Sequence, residues 1–245
     1  MFPPRTARRT ATFGSGRNAV QDTSPLSARD AYRLWAPAYD AETAVSFLEN
    51  LLVKELMEGI PVHDLADVGC GRGRRMRESG AAFAVGVDLT VEMFGDAAGD
   101  ARGRLVVSDL RRLPLGDATF DVVWCRLVIG HIVDPRAAFG ELARICRPGG
   151  VVIVSDFHPA AVAAGHRRTF ADSEGSVHEI EHYVHAPHEQ VATASSVGLT
   201  PSGRRDGVVG PAIRSFYAAA GKLDAYEHQR GLPLVLALRF QRRGS

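Results

Sequence analysis

The stretch Asp64 to Gly73, DLADVGCGRG, constrains this chain more than any other. An apolar run closes on Asp67 and glycines follow at 69, 71 and 73, so the spacing predicts a buried strand turning through a loop nearly bare of side chains. Glycine reaches positive φ and has no Cβ, so such a loop brings main-chain N–H groups against a nucleotide-sized ligand at a helix start. The spacing is G-x-G-x-G, not the G-x-G-x-x-G of dinucleotide-binding folds, and glycines alone do not decide the ligand.

The following segments narrow the choice. AFAVGVD closes on Asp88, RLVVSD closes on Asp109, FDVVWC comes next, and RPGG precedes VVIVSDF. In this order and spacing, residues 64–157 resemble the class I S-adenosylmethionine-dependent methyltransferases, in the small-molecule branch that includes the ubiquinone and menaquinone methyltransferases. The resemblance covers roughly two-fifths of the chain and rests on four linked motifs. It implies an α/β, Rossmann-like fold: a seven-stranded, mostly parallel sheet with its last strand antiparallel and helices on both faces. An N-terminal helical lid and an insertion after strand five complete the expectation.

The pattern of the residues agrees with that fold class. Strands are predicted at 63–68, 82–88, 104–108, 119–125 and 151–157, with helices at 73–79, 90–99 and 135–147 between them. Such alternation implies a parallel sheet, with the ligand at the carboxyl ends of strands one, two and four. Ahead of it, Ser27 caps a helix bearing Tyr32, Trp35 and Tyr39, and 42–58 has the period of an amphipathic helix. Behind it, a helix at 188–198, a strand at 199–208, a helix at 211–229 and the closing strand PLVLALRF are expected.

With 245 residues and 45% apolar content, the chain is read as one methyltransferase domain over 25–245. Its parts are a helical cap at 25–60, a cofactor core at 61–157, acceptor-pocket elements at 158–230 and a closing strand at 231–245. Residues 1–24, rich in Pro, Gly, Ser and Thr, read as a disordered tail, with a transit peptide as the alternative. A net charge of +1 argues against a nucleic-acid partner, and no apolar run reaches the ~20 residues of a membrane span. Three cysteines without paired spacing point to a reducing cytoplasm. A homodimer stays open.

The cofactor carries an adenosine, a ribose diol, an α-amino group and a carboxylate. Gly69, Cys70, Gly71 and Gly73 are expected under the amino-acid and ribose portions, with Asp67 accepting from the α-ammonium. Asp88 would take the ribose hydroxyls, and Leu89 and Met93 would lie against adenine, although a methionine at this spacing is also ordinary core. Asp109 would accept from the adenine amino group, with Ser108 and Leu110 beside it. The resemblance further implies that Tyr32 and Tyr39 cover the cofactor, and that a main-chain carbonyl near Cys125 and Arg126 meets the α-ammonium.

Methyl transfer is a displacement at carbon, which alignment and exclusion of water can accelerate without a compulsory side chain. A base is needed when the acceptor is protonated at neutral pH, and His131, His158 and His182 are the candidates for it. His178, His182 and His185 would share a helical face but lack a ligand-spaced acid or thiol, so no metal is expected. The expected activity is methyl transfer from S-adenosylmethionine to an O-, N- or C-nucleophile of a secondary metabolite or quinone-like compound, leaving S-adenosylhomocysteine. WCRLVIG after strand four lacks the Asn/Asp-Pro-Pro-aromatic motif of amino-group methyltransferases. The alternatives are a cyclase or sensor that binds the cofactor structurally and, on the glycine loop alone, an NAD-dependent oxidoreductase.

Overall fold

The computed structural model of the chain describes residues 24–39, 42–99 and 104–244, so the reading of the first 23 residues as a tail lies outside them. Ser27 accepts from the Asp30 N–H and starts α1 (Ala28–Trp35), and Pro37 falls in a short 3-10 turn after it. Thr43 and Ser46 form a reciprocal capping box at the head of α2 (Ala44–Leu56). The core then runs β1 (Asp64–Val68), α3 (Arg74–Glu78), β2 (Phe83–Asp88), β3 (Arg104–Val107), β4 (Phe120–Arg126), α4 (Arg136–Ile145) and β5 (Cys146–Phe157).

Two expectations in this part need correction. The helix predicted at 90–99 is a 3-10 segment broken at Gly95, whose φ of 48° and ψ of −136° interrupt helical geometry. Strand β5 begins at Cys146, ahead of the Pro-Gly-Gly turn, and the extra residues are absorbed as an irregularity in its pairing with β4.

Beyond β5 come α5 (Pro159–Ala163), a hairpin of β6 (Thr169–Ala171) and β7 (Val177–Glu179), α6 (Pro187–Ser196) and β8 (Leu199–Val208). The helix predicted at 211–229 is instead a 3-10 turn followed by α7 (Arg214–Ala219) and α8 (Leu223–Gln229). Gly221, with φ at 67°, turns the chain between them. Strand β9 (Pro233–Arg242) closes the fold.

Seven strands make one sheet in the order β3-β2-β1-β4-β5-β9-β8. The first five are parallel, and β9 runs antiparallel between β5 and β8. Alternation along the strands divides the core. Ala66, Val68, Val123, Cys125, Val152 and Val154 pack beneath α4 and α6; Leu65, Val122, Trp124 and Ile153 pack beneath α2 and the α7–α8 pair. Phe139 and Phe240 meet edge to face at 5.9 Å with neither exposed, and burying a side chain of that size contributes about 1.5–3 kcal/mol. A third cluster joins Ala31 of α1 to Phe170 and Ile180, so the N-terminal helix packs on the insertion.

Candidate active site

At the carboxyl ends of β1, β2 and β4 lies a cavity of about 1050 Å³. The glycine loop forms its floor. Gly69 and Cys70 donate their N–H groups to Val87 O at 2.7 and 3.0 Å, which turns the loop back over β2. Gly69 has φ at 80°, and a Cβ there would stand 2.1 Å from Val128 Cγ2, so glycine is required on both counts. At Gly71 a Cβ would enter the space beside Met93 Cε and Tyr39 Cε1, at 3.3 and 3.6 Å.

Asp88 is fixed by that loop. Its Oδ2 accepts from Gly71 N at 2.8 Å and its Oδ1 from Thr90 N at 3.0 Å, leaving a lone pair on each oxygen for a diol. Burial pushes its carboxyl above the usual range, while the N–H groups of Thr90 and Gly71 pull it down. Asp109 is engaged differently: Arg111 chelates it, with Nη2 2.6 Å from Oδ2, and this bond holds the carboxyl low. Ser108 turns its hydroxyl to Arg112 O at 2.8 Å. Leu89, Met93 and Leu110 line the cavity with Tyr32, Tyr39 and Cys70.

On the α2 side is a cluster of charge. Glu49, fully buried, accepts from Arg126 Nε and Nη2 at 2.9 and 2.8 Å and from the Ser155 hydroxyl at 2.6 Å. Arg75 approaches the same carboxylate at 3.3 Å. Asp67 projects from the same face of the sheet, and burial pushes its carboxyl up to about 6. Opposite it in register is Trp124, whose Nε1 is buried without a hydrogen-bond partner.

The other side of the cavity is built by long-range contacts. The Tyr32 hydroxyl lies 3.1 Å from His131 Nε2, and His131 Nδ1 lies 3.2 Å from Glu181 O. A ring nitrogen facing a carbonyl must carry the hydrogen, so Nε2 is the acceptor and Tyr32 donates to it. Burial, reinforced by Arg168, pushes the imidazole down to about 3 and keeps it neutral. Arg168 reaches Tyr32 Oη at 3.4 Å and Asp156 Oδ1 at 3.1 Å, and also donates to Leu127 O. Leu127 has φ at 60°, so the residue after β4 sits in a strained backbone conformation at the edge of the site.

The predicted residues thus separate. The cavity wall includes His131, Arg126 and the loop residues 69–71; Asp67, Gly73, Cys125, His158 and His182 lie behind it. Gly73 caps α3 with φ at 67°, and Cys125 is fully buried in the core. His158 caps α5, its Nδ1 accepting from Ala160 N at 3.0 Å. His182 donates Nε2–H to Asp156 at 3.3 Å. His178, His182 and His185 share no helix, since the first is on β7 and the others follow it outside any helix or strand; among the described residues no group of three His, Cys, Asp or Glu could hold a metal.

Sequence reasoning missed Glu49, Arg75, Asp156 and Arg168. Asp156 had a signal, because VVIVSDF is another apolar run closing on an acid. Arg168 had none.

A bare glycine floor and a carboxylate held for a diol, with the guanidinium of Arg75 on the wall beside them, fit a nucleoside carrying an amino acid. The sheet order and site position define a Rossmann-like nucleotide-binding class. The comparisons make that class specific. Residues 66–154 match the methyltransferase-domain family. The chain is 32% identical over 187 residues to the malonyl-[acyl-carrier protein] O-methyltransferase of Dechloromonas aromatica, spanning 72% of this chain and 68% of that one. It is 26% identical to the ubiquinone biosynthesis O-methyltransferase of Bordetella avium, over 86% of this chain and 94% of that one. The geranyl diphosphate C-methyltransferase of Streptomyces coelicolor, solved with S-adenosylhomocysteine, superposes with a TM-score of 0.58 at 18% identity, covering 96% and 92% of the two chains. The chain belongs to the class I S-adenosylmethionine-dependent methyltransferases that act on small molecules. Its cofactor is S-adenosylmethionine.

Proposed function

We propose that this enzyme methylates a hydroxyl oxygen of a small, largely aromatic or apolar acceptor of the quinol or secondary-metabolite kind. One observation carries the reading: the unprotonated Nε2 of His131 and the guanidinium of Arg168 converge on a single oxygen, that of Tyr32, in the cavity that contains the glycine loop. The rings of Trp35, Phe157 and Phe170 line the same space. His166 Nε2, buried with no hydrogen-bond partner, also lines it and offers a polar contact. Both O-methyltransferases named above support oxygen as the accepting atom.

When bound, S-adenosylmethionine supplies a methyl carbon activated by its positive sulfur. Asp88 and the 69–71 loop hold the ribose side, Met93 and Leu89 the adenine, and Asp109 its amino group once Arg111 shares the carboxylate. Once the acceptor displaces the Tyr32 hydroxyl from it, His131 Nε2 receives the acceptor's O–H hydrogen bond and takes the proton as the oxygen–carbon bond forms. An oxygen being alkylated becomes strongly acidic, so a base as weak as this imidazole suffices. Arg168 donates to a second lone pair of that oxygen and orients it towards the methyl carbon. Three free cysteines, two of them buried, support a reducing cytoplasm as the compartment.

The test is incubation with methyl-labelled cofactor and matched phenol, quinol, amine and carboxylate acceptors. Label in an ether product supports the reading, and label confined to amine or carboxylate products refutes it.

A further inference from the structure

The amino-acid end of S-adenosylmethionine is a zwitterion. Asp67, just behind the cavity wall, can answer its ammonium through a bridging water, and nothing above answers its carboxylate. We propose that Arg75 binds the α-carboxylate of the cofactor, and that Glu49 holds the Arg75 side chain in readiness for it. The proposal rests on the cofactor site described above and assigns a residue that no motif marks.

Arg75 lies two residues past Gly73 and lines the cavity with 23% of its side chain exposed. Its one close polar contact among the described residues is Nη2 to Glu49 Oε2 at 3.3 Å. Glu49 is already engaged by Arg126 through two short bonds and by Ser155. One buried carboxylate therefore faces two guanidinium groups. Arg126 takes it in the forked geometry that suits this pair, and Arg75 is left with a long, single contact and a free fork.

The two arginines differ in what remains to them. Arg126 is 3% exposed and gives a further bond to Asn50 Oδ1 at 3.1 Å. Among the described residues Arg75 has no such further partner, and it borders the cavity. A ligand carboxylate at Arg75 completes the charge balance, because Glu49 then pairs with Arg126 alone. Asp67 lies close enough for Arg75 and Arg126 to act on its carboxyl. An anion site at Arg75 and a cation site at Asp67, both flanking one glycine loop, match the two charges of an α-amino acid.

Calorimetry with two ligands separates this role from a structural one. S-adenosylhomocysteine carries the carboxylate, and S-adenosyl-3-thiopropylamine lacks only that group. The parent protein is expected to prefer the first by about tenfold to a hundredfold, the effect of one charge-assisted bidentate contact. Arg75→Gln is expected to remove that preference while binding the decarboxylated ligand as the parent does, and Arg75→Lys to restore part of it. Equal affinity of the parent for both ligands overturns the proposal without any variant, and so does a loss in Arg75→Gln that is the same for both. If the parent bound neither ligand, the cofactor site itself would be wrong.

Discussion

The hydroxyl of Tyr32 donates to Nε2 of His131 at 3.1 Å, across 99 residues of sequence, and joins the N-terminal helix to the segment after β4. Because His131 titrates near 3 in this surrounding, its Nε2 keeps its lone pair throughout the physiological range. Turnover is therefore expected to show no limb from this residue between about pH 5 and pH 8, unlike a solvent-exposed histidine near 6.5. A pH–kcat profile that differs near 6.5 between the parent and His131→Gln would refute this.

Replacement of the three histidine candidates should separate them. His131→Gln is expected to lower kcat by ~10²–10⁴, the usual span for a general base. His158→Ala removes the cap of α5 and should cost about 0.5–2 kcal/mol of stability with kcat unchanged. His182→Ala takes a donor from buried Asp156 and should cost about 1–3 kcal/mol. Turnover and thermal unfolding measured on the same preparations decide it; full turnover in His131→Gln leaves alignment and Arg168 to act without a base.

Asp67 makes the ligand-free protein respond to pH. Its carboxyl titrates near 6 when folded against 3.8 ordinarily, so the folded chain binds this proton more tightly than the unfolded chain. The ionised form costs stability above pH 6, and the cost is relieved as pH falls from 6 towards 3.8. Asp67→Asn should accordingly stabilise the protein at pH 7 by up to about 2–3 kcal/mol and hardly at all near pH 4. Affinity for S-adenosylhomocysteine should fall from pH 7 to 5, since its ammonium needs the ionised carboxylate. Equal unfolding midpoints for parent and variant at neutral pH would contradict the assignment.

Removing Glu49 alone leaves Arg126 buried and unpaired. Glu49→Leu should destabilise the fold by ~3–5 kcal/mol, and adding Arg126→Leu should recover most of that loss. Chemical denaturation of both variants tests it; a double variant no more stable than the single one means the pair is not what holds α2 to the sheet.

Gly69 and Gly80 both adopt positive φ, at 80° and 75°, but only Gly69 has an atom in the way of a Cβ. Gly80→Ala should cost ~1–2 kcal/mol of backbone strain, whereas Gly69→Ala adds a clash of ~1–3 kcal/mol and displaces Val128 from the loop. Truncating Val128 to alanine in the second variant should remove most of the clash, its Cβ standing 3.1 Å away, and leave the strain. Equal stability losses for the two glycines would show that the loop yields.

The fold was legible because its signals are local. Apolar runs ending at Asp67, Asp88 and Asp109, and turns at Gly69 and Gly149, each lie within a few residues, so the parallel alternation and the place of the ligand followed from spacing, and the antiparallel last strand from the family resemblance. Boundaries failed where a local signal was weak: Gly95 and Gly221 broke segments that read as continuous helices.

The roles of side chains were decided elsewhere. His131, His158 and His182 are alike as letters, and an imidazole's function is set by what faces its two nitrogens. For His158 that is the N–H of Ala160, for His182 the carboxylate of Asp156, and for His131 the phenol of Tyr32. The same holds for charge. Arg126 reads as a residue at the end of a cofactor-binding strand and is in fact committed to Glu49, 77 residues earlier. Spacing along the chain determined the parallel strands and the glycine floor. Which groups meet across that floor was decided by packing α1, α2 and the 158–187 insertion against it, because burial and pairing at each nitrogen or oxygen depend on residues far apart in sequence.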